Sequence, residues 1–245
     1  MERLIGSERE GFFLIISGFE FKHLKALRLR ESDSLEVFWE GRLFLTRIDR
    51  IGKDRAVCAI QRELDTSLPK PEVILYQCLP LDMRLMEEII DRVSQAGAVR
   101  LVPLICERSF KDISKVEHKA ERWKRLSLAS FKQCKRPKPL EIAKPMKIDE
   151  LKTAEECSFV LDNFGNGLKF KDINHRAKSY GLVVGPEGGF SLNEVELLKD
   201  RGFQPLLLKP YIYRSEMAGA VAVAIIMNLA EDTPDEYNYL ALRRA

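Results

Sequence analysis

Hydrophobic and polar positions alternate in short, glycine-punctuated runs through the first 65 residues, which read as strands and turns. "SLEVFWE" and "LFLTRI" flank Gly41 and predict a hairpin, and "RAVCAI" after Gly52 predicts a third strand. "DTSLPKPE", Asp65 to Glu72, sets two prolines among polar residues and reads as a linker. Beyond it the pattern changes to strand, helix, strand. "EVILYQCL" is a continuous apolar run, as in a strand buried on both faces. Asp82 stands where it can cap the next helix, on which Met86, Ile89, Ile90 and Val93 share one face, and Gly97 ends it. "VRLVPLIC" is the next strand, and residues 115–135 form a long helix around Val116, Ala120 and Trp123. "CSFVLD" and "YGLVVG" are further strands. A helix from Leu192 to about Arg201, the strand "PLLL" and a last helix from about Glu216 to Ala230 complete the chain. Strands alternating with helices predict an α/β fold whose parallel sheet is covered on both faces.

Composition narrows the class without naming a function. The 245 residues are 45% hydrophobic and 31% charged, and a net charge of +3 says little about partners. No apolar run approaches the ~18 residues of a membrane span. The stretch Phe12 to Ile16 is too short for a signal-peptide core, so a cytoplasmic protein is expected. Five cysteines without a C-x-x-C, and three scattered histidines, predict reduced, mostly buried thiols and no metal site. Charge is uneven, however. From Glu107 to Lys147 there are 13 Lys/Arg against 5 Asp/Glu, a balance of 13 − 5 = +8. "FKQCKRPKP", Phe131 to Pro139, is the densest part. A solvated helix face and a phosphate-contacting surface both account for it.

Two segments carry candidate chemistry. In "VVGPEGGFSLNEVELL", Val183 to Leu198, a strand ends at a glycine cluster and a helix follows. Ser191 and Glu194 have capping-box spacing. Ligands bind at the carboxyl ends of parallel strands, and glycines allow both a sharp turn and close backbone approach. No Lys-Ser/Thr follows as in a phosphate loop, and Pro186 and Glu187 break the dinucleotide spacing. Glu187 would repel a pyrophosphate, whereas an adenosyl group with a cationic sulfonium suits an acidic turn. A tight turn with no ligand remains open. In "LLLKPYIYRSEMAGAVAVAII", Leu206 to Ile226, a strand leads through an irregular stretch to Arg214, Ser215 and Glu216. A helix rich in small residues then begins. It suits close packing in a core or against a second subunit, and the charges at its start point to a site.

Together these segments resemble the small-subunit ribosomal RNA uridine-N3 methyltransferases (RsmE), of the knotted SPOUT class. "HLKALRLRESDSLEVFWEG" is similar to that family's opening, "LPLDMRLMEEIIDRVSQAGAVRLVPL" to its first strand-helix-strand unit, and "RWKRLSLASFKQCKRPKP" to its basic helix. The chain departs from the pattern at Lys209 and Tyr211, where glycine and arginine are usual. The resemblance implies a small PUA-like β-barrel RNA-binding domain (1–68), then a SPOUT methyltransferase domain with a trefoil knot (72–231) and a C-terminal tail (232–245). It also implies a homodimer, S-adenosyl-L-methionine as methyl donor, and 16S ribosomal RNA or the small ribosomal subunit as partner. Three turns would hold the cofactor: the strand end at Leu161; Gly185, Glu187, Gly188 and Gly189; and Leu208, Ile212, Ser215 and Ala218. His23, Arg28, Lys132, Lys135 and Arg136 would contact RNA.

Methylation at N3 of uracil requires loss of the N3 proton and in-line approach to the methyl group. A paired N3 is inaccessible, so the base must be unpaired or flipped out. Arg214 could stabilise the N3/O4 anion or hold a phosphate. Glu216 could act as base or simply serve as an acid in the first helical turn. Another RNA target, and a non-catalytic RNA-binding protein that has lost cofactor binding, are the competing readings.

Overall fold

A computed structural model describes residues 1–161 and 166–230. Asp162 of the predicted "CSFVLD" strand and the expected tail at 232–245 lie outside the described residues. The described chain divides into two compact units, one comprising Met1–Ser67 with Lys132–Lys138, the other Leu68–Phe131 with 139–161 and 166–230.

The first unit contains β1 (Arg3–Ile5), β2 (Glu8–Glu10), β3 (Phe13–Ser17), α1 (Gly18–Ala26), β4 (Ser34–Trp39), β5 (Arg42–Ile51) and β6 (Arg55–Leu64). Its sheet has the order β1-β4-β5-β6-β3-β2. The predicted hairpin is present, from Trp39 opposite Arg42 to Ser34 opposite Arg47. Glu40 and Gly41 turn it with φ of 46° and 79°, the positive pair that matches strand twist. The two edge strands, β1 and β2, are consecutive in the chain with only Gly6 and Ser7 between them. The sheet therefore curls round a core of Leu14, Ile16, Leu35, Val37, Phe44 and Cys58. The helix α1 departs from the strands-and-turns expectation. It is nine residues long and buries only Phe21 and Leu24, too few positions to impose a helical period on the sequence.

The second unit runs β7 (Glu72–Cys78), α2 (Leu85–Ala96), β8 (Arg100–Ile105), α3 (Ile113–Cys134), β9 (Glu141–Ile142), β10 (Met146–Lys147), β11 (Cys157–Leu161), β12 (Leu168–Lys169), β13 (Ser179–Val184), α4 (Leu192–Asp200), β14 (Gln204–Leu207) and α5 (Ser215–Leu229). The last residues of α3 cluster with the first unit. Every strand pair is parallel, in the order β10-β8-β7-β13-β11-β14-β12, with β9 beside β8. Both faces are covered, as the apolar runs require. Val73, Leu75 and Leu182 pack with Ile90, Val93, Ala222 and Ile226 of α2 and α5, while Tyr76, Leu104, Val160 and Val183 pack with Leu198 and Phe203. From β7 the chain steps outward to β8, and it later returns to β13 on the opposite side. A crevice forms at such a switch, outside the carboxyl ends of the strands.

Local readings hold with two exceptions. Gly97 ends α2 with φ 110° and its N–H bonds Val93 O, and Met86, Ile89, Ile90 and Val93 are buried. Asp82, by contrast, does not cap this helix. Arg84 is in the N-cap position, and the Asp82 carboxylate instead accepts the Arg84 N–H at 3.0 Å and pairs with its guanidinium, forming a turn before the helix. On α3, Val116 and Trp123 are buried while Ala120 is only half-buried. The two-residue strands β9, β10 and β12 are too short to carry a hydrophobic period.

Candidate functional site

The glycine cluster follows β13 at the carboxyl edge of the sheet. Gly189 has φ 68°, and its N–H reaches Pro186 O at 2.9 Å, closing a turn that favours glycine. A Cβ on Gly185 would stand 3.1 Å from the Phe190 ring. Ser191 then caps α4: its Oγ accepts the Glu194 N–H, and the Glu194 carboxylate accepts the Ser191 N–H at 2.9 Å. The predicted capping box is therefore formed.

Side chains tie this loop to its neighbours. Arg108 Nη1 donates to Gly188 O at 2.8 Å, and Glu194 Oε1 accepts the Glu107 N–H at 2.7 Å. The Glu187 carboxylate accepts the Leu81 N–H at 3.2 and 3.3 Å, which joins the loop to the segment leaving β7. Glu187 thus anchors one loop to another.

The strand ends at which the other two predicted turns begin share this edge, because β13, β11 and β14 are adjacent and parallel. Leu161 ends β11 opposite Leu206, and Leu208 is buried just after β14. Beyond it Lys209, Tyr211 and Ile212 are exposed, Tyr211 by 81% and Ile212 by 70%. Arg214 is the extended N-cap residue of α5, exposed and making no side-chain cap; its carbonyl accepts the Met217 and Ala218 N–H groups. Ser215, Glu216 and Ala218 are buried. Arg92 of α2 braces this turn, its Nη1 donating to Glu216 O at 3.2 Å and its Nη2 to Glu88 at 2.6 Å. Among the described residues no side chain pairs with the Glu216 carboxylate, and the buried Ser215 Oγ has no hydrogen-bond partner.

The predicted RNA contacts divide sharply. His23 and Arg28 lie at the end of α1, half-buried and exposed respectively. Lys132 instead pairs with Glu20 at 2.6 Å, both side chains largely buried. Arg136 is buried, and its carbonyl accepts from Arg3 Nη1 at 2.6 Å, while Arg3 also forms a buried ion pair with Glu36 at 2.5 Å. Lys135 O accepts from Arg3 Nη2 at 3.3 Å, and burial lowers the Lys135 ammonium pKa. Lys132 and Arg136 thus contribute to the interior of the first unit, while Lys135 is half-buried. Among the described residues no three His, Cys, Asp or Glu gather in a metal-binding arrangement, and no helix is long and apolar enough to cross a membrane.

Arg92 and Glu107 were not expected at the site. Their roles come from contacts between elements distant in the chain, which leave no local signal.

Residues 66–227 match the family described as an RNA methyltransferase domain. The "Ribosomal RNA small subunit methyltransferase E" of Aquifex aeolicus is 39% identical over 228 residues, covering 93% of this chain and 100% of the relative. The chain belongs to the ribosomal RNA small subunit methyltransferase E family. A solved methyltransferase structure from Legionella pneumophila, in complex with bound SAM, is 26% identical with a TM-score of 0.80, covering 92% of this chain and 96% of that one. The small subunit methyltransferase E of Neisseria gonorrhoeae, 23% identical, has the same fold with a TM-score of 0.81 over 94% of this chain and 98% of that one.

Proposed function

We propose that this chain methylates N3 of a specific uridine in 16S ribosomal RNA, with S-adenosyl-L-methionine as donor. The observation that carries the reading is that β11, β13 and β14 end side by side at the carboxyl edge of a parallel sheet, in a chain matching its Aquifex relative over that relative's whole length. The residues fit the cofactor: a turn free of Cβ atoms at Gly185, Gly188 and Gly189, and an unpartnered buried hydroxyl at Ser215. Bound there, the cofactor supplies an electrophilic methyl group.

The chain's own residues then have two tasks. The rigid glycine loop and the braced start of α5 hold the reacting groups in line. Arg214, exposed at the rim, offers a cation to the uracil O4 or to a phosphate. Glu216, whose carboxylate pairs with no described side chain, takes the N3 proton in this reading. Residues 1–68 are the PUA-like RNA-binding domain, and 72–231 is the methyltransferase domain with the family's trefoil knot. The half-exposed apolar residues Met217, Val221, Ala224 and Ile225 on α5 favour a homodimer through this helix. The cytoplasm is the compartment where its RNA is assembled.

Mass mapping of ribosomal RNA from a strain lacking the gene tests the target. Loss of one N3-methyluridine from 16S RNA, restored by the wild-type gene, is expected. An intact mark there, or a mark lost from another RNA, overturns it. Arg214→Ala and Glu216→Ala should abolish methylation while the fold survives; full activity in both variants removes these two residues from the site.

A further inference from the structure

We infer that Gln77 and Ser215 form an acceptor pair for the ammonium of the amino-acid end of S-adenosylmethionine, an assignment that rests on the cofactor reading above. Gln77 lies on β7 directly across the ladder from Val184, the residue before Gly185. It is therefore at the switch between β7 and β13, beside the glycine loop. Its side chain is completely buried. Nε2 donates to Cys78 O at 3.2 Å, and Oε1 has no partner among the described residues. The reverse amide orientation would set two oxygens against each other, so the carbonyl contact fixes Oε1 as the free acceptor. A buried acceptor without a donor is unfavourable, and an apolar residue of similar size would fill the same space without that cost.

Gln77 Oε1 faces α5. It is 3.5 Å from the point where a Cβ on Gly219 would stand, one helical turn beyond Ser215 on the same side of the helix. Gly219 makes that approach possible, since its Cβ would come within 2.8 Å of Leu75 Cδ2. Ser215 Oγ is a second buried atom without a partner.

The chemistry of this set selects its ligand. Gln77 Oε1 can only accept, and the Ser215 hydroxyl can accept beside it, a pair that suits a donor-rich cation better than an RNA phosphate. An alkylammonium carries three N–H donors. The Ser215 and Glu216 amides, which open α5 ahead of its first backbone bonds to Arg214 O, suit the carboxylate on the same carbon. An α-amino acid zwitterion satisfies both halves, and neither adenosine nor uracil has one.

Calorimetric titration of the full chain with S-adenosylmethionine, S-adenosylhomocysteine and 5′-methylthioadenosine tests this. The first two carry the amino-acid end and the third lacks it. Gln77→Leu should weaken the first two about tenfold and leave the third unchanged, with a melting temperature equal to or above that of the wild type. Ser215→Ala should show the same selectivity. Gln77→Met, closer in shape, serves as a second variant should the leucine fail to fold. Equal loss for all three ligands, or no loss for any, overturns the assignment. A wild-type chain that binds none of them overturns the cofactor reading and this assignment with it.

Discussion

The buried carboxylate of Glu194 accepts the backbone N–H of Glu107 at 2.7 Å, joining the start of α4 to the loop that leaves β8. Its other oxygen accepts the Ser191 N–H at 2.9 Å. The residue completing the capping box therefore also positions the loop of Arg108, which in turn holds Gly188 O. The glycine loop is braced from two directions through one carboxylate.

Removing that carboxylate should cost more than an ordinary helix cap. Glu194→Ala loses two charge-assisted hydrogen bonds, each worth about 1.5–3 kcal/mol. A loss of roughly 3 kcal/mol is expected, which for a chain of this size lowers the melting temperature by about 6–12 °C. Glu194→Gln keeps the shape and should lose about half as much. Calorimetric melting within about 2 °C of wild type for the alanine variant would contradict this bracing role.

The loop's glycines should separate by mechanism. Gly189 has φ 68° and open space where a Cβ would stand, so Gly189→Ala pays only conformational strain, about 1 kcal/mol. Gly185→Ala brings a Cβ against the Phe190 ring at 3.1 Å and must move the loop. Its affinity for S-adenosylmethionine should fall further than its denaturant midpoint suggests, while Gly189→Ala loses mainly stability. Parallel losses in both variants would show that the two glycines act alike.

Stability should fall on the alkaline side. Burial pushes the Cys58 thiol up to about 12 from its usual 9.0, with the Thr46 hydroxyl partly opposing, and pushes the Tyr180 phenol up to about 12 from 10.0. Both groups stay neutral in the folded chain while the unfolded chain ionises. Their contribution is complete below about pH 9 and is lost as the pH rises towards 12. Melting temperatures between pH 7 and 11 should turn downward above 9, and Cys58→Val with Tyr180→Phe should flatten that slope. In the folded chain a maleimide should label half-exposed Cys134 before buried Cys58 or Cys78.

Long elements were legible in the sequence because each buries a repeating face. The α2 stripe and the β7 and β13 runs show this, and so does the Ser191–Glu194 box, whose partners are three residues apart. Partners far apart were not legible. Lys132 looks like a free cation in a basic run, yet its partner Glu20 lies 112 residues away, and Arg136 is buried, with its backbone carbonyl held by Arg3 from 133 residues away. Glu187 looks like a ligand group, but its carboxylate reaches Leu81, 106 residues away. Gln77 sits inside "EVILYQCL", where an apolar run conceals one polar residue whose surroundings only the folded sheet creates.

Arg28 should hold RNA at the expense of stability. It follows α1 in the left-handed region, φ 58°, where glycine is favoured. It is exposed, and no described side chain or backbone group bonds its guanidinium. Arg28→Gly should therefore stabilise the chain by about 1 kcal/mol while weakening RNA binding. In anisotropy titrations with a 16S fragment across a range of salt concentrations, the log–log salt slope should fall by about 1, as when one phosphate contact is lost. Lys132→Met should behave oppositely: it breaks the half-enclosed pair with Glu20, lowers stability, and leaves the slope unchanged. A reduced slope for Lys132→Met with an unchanged slope for Arg28→Gly would place the phosphate contact on α3 and exclude it from the end of α1.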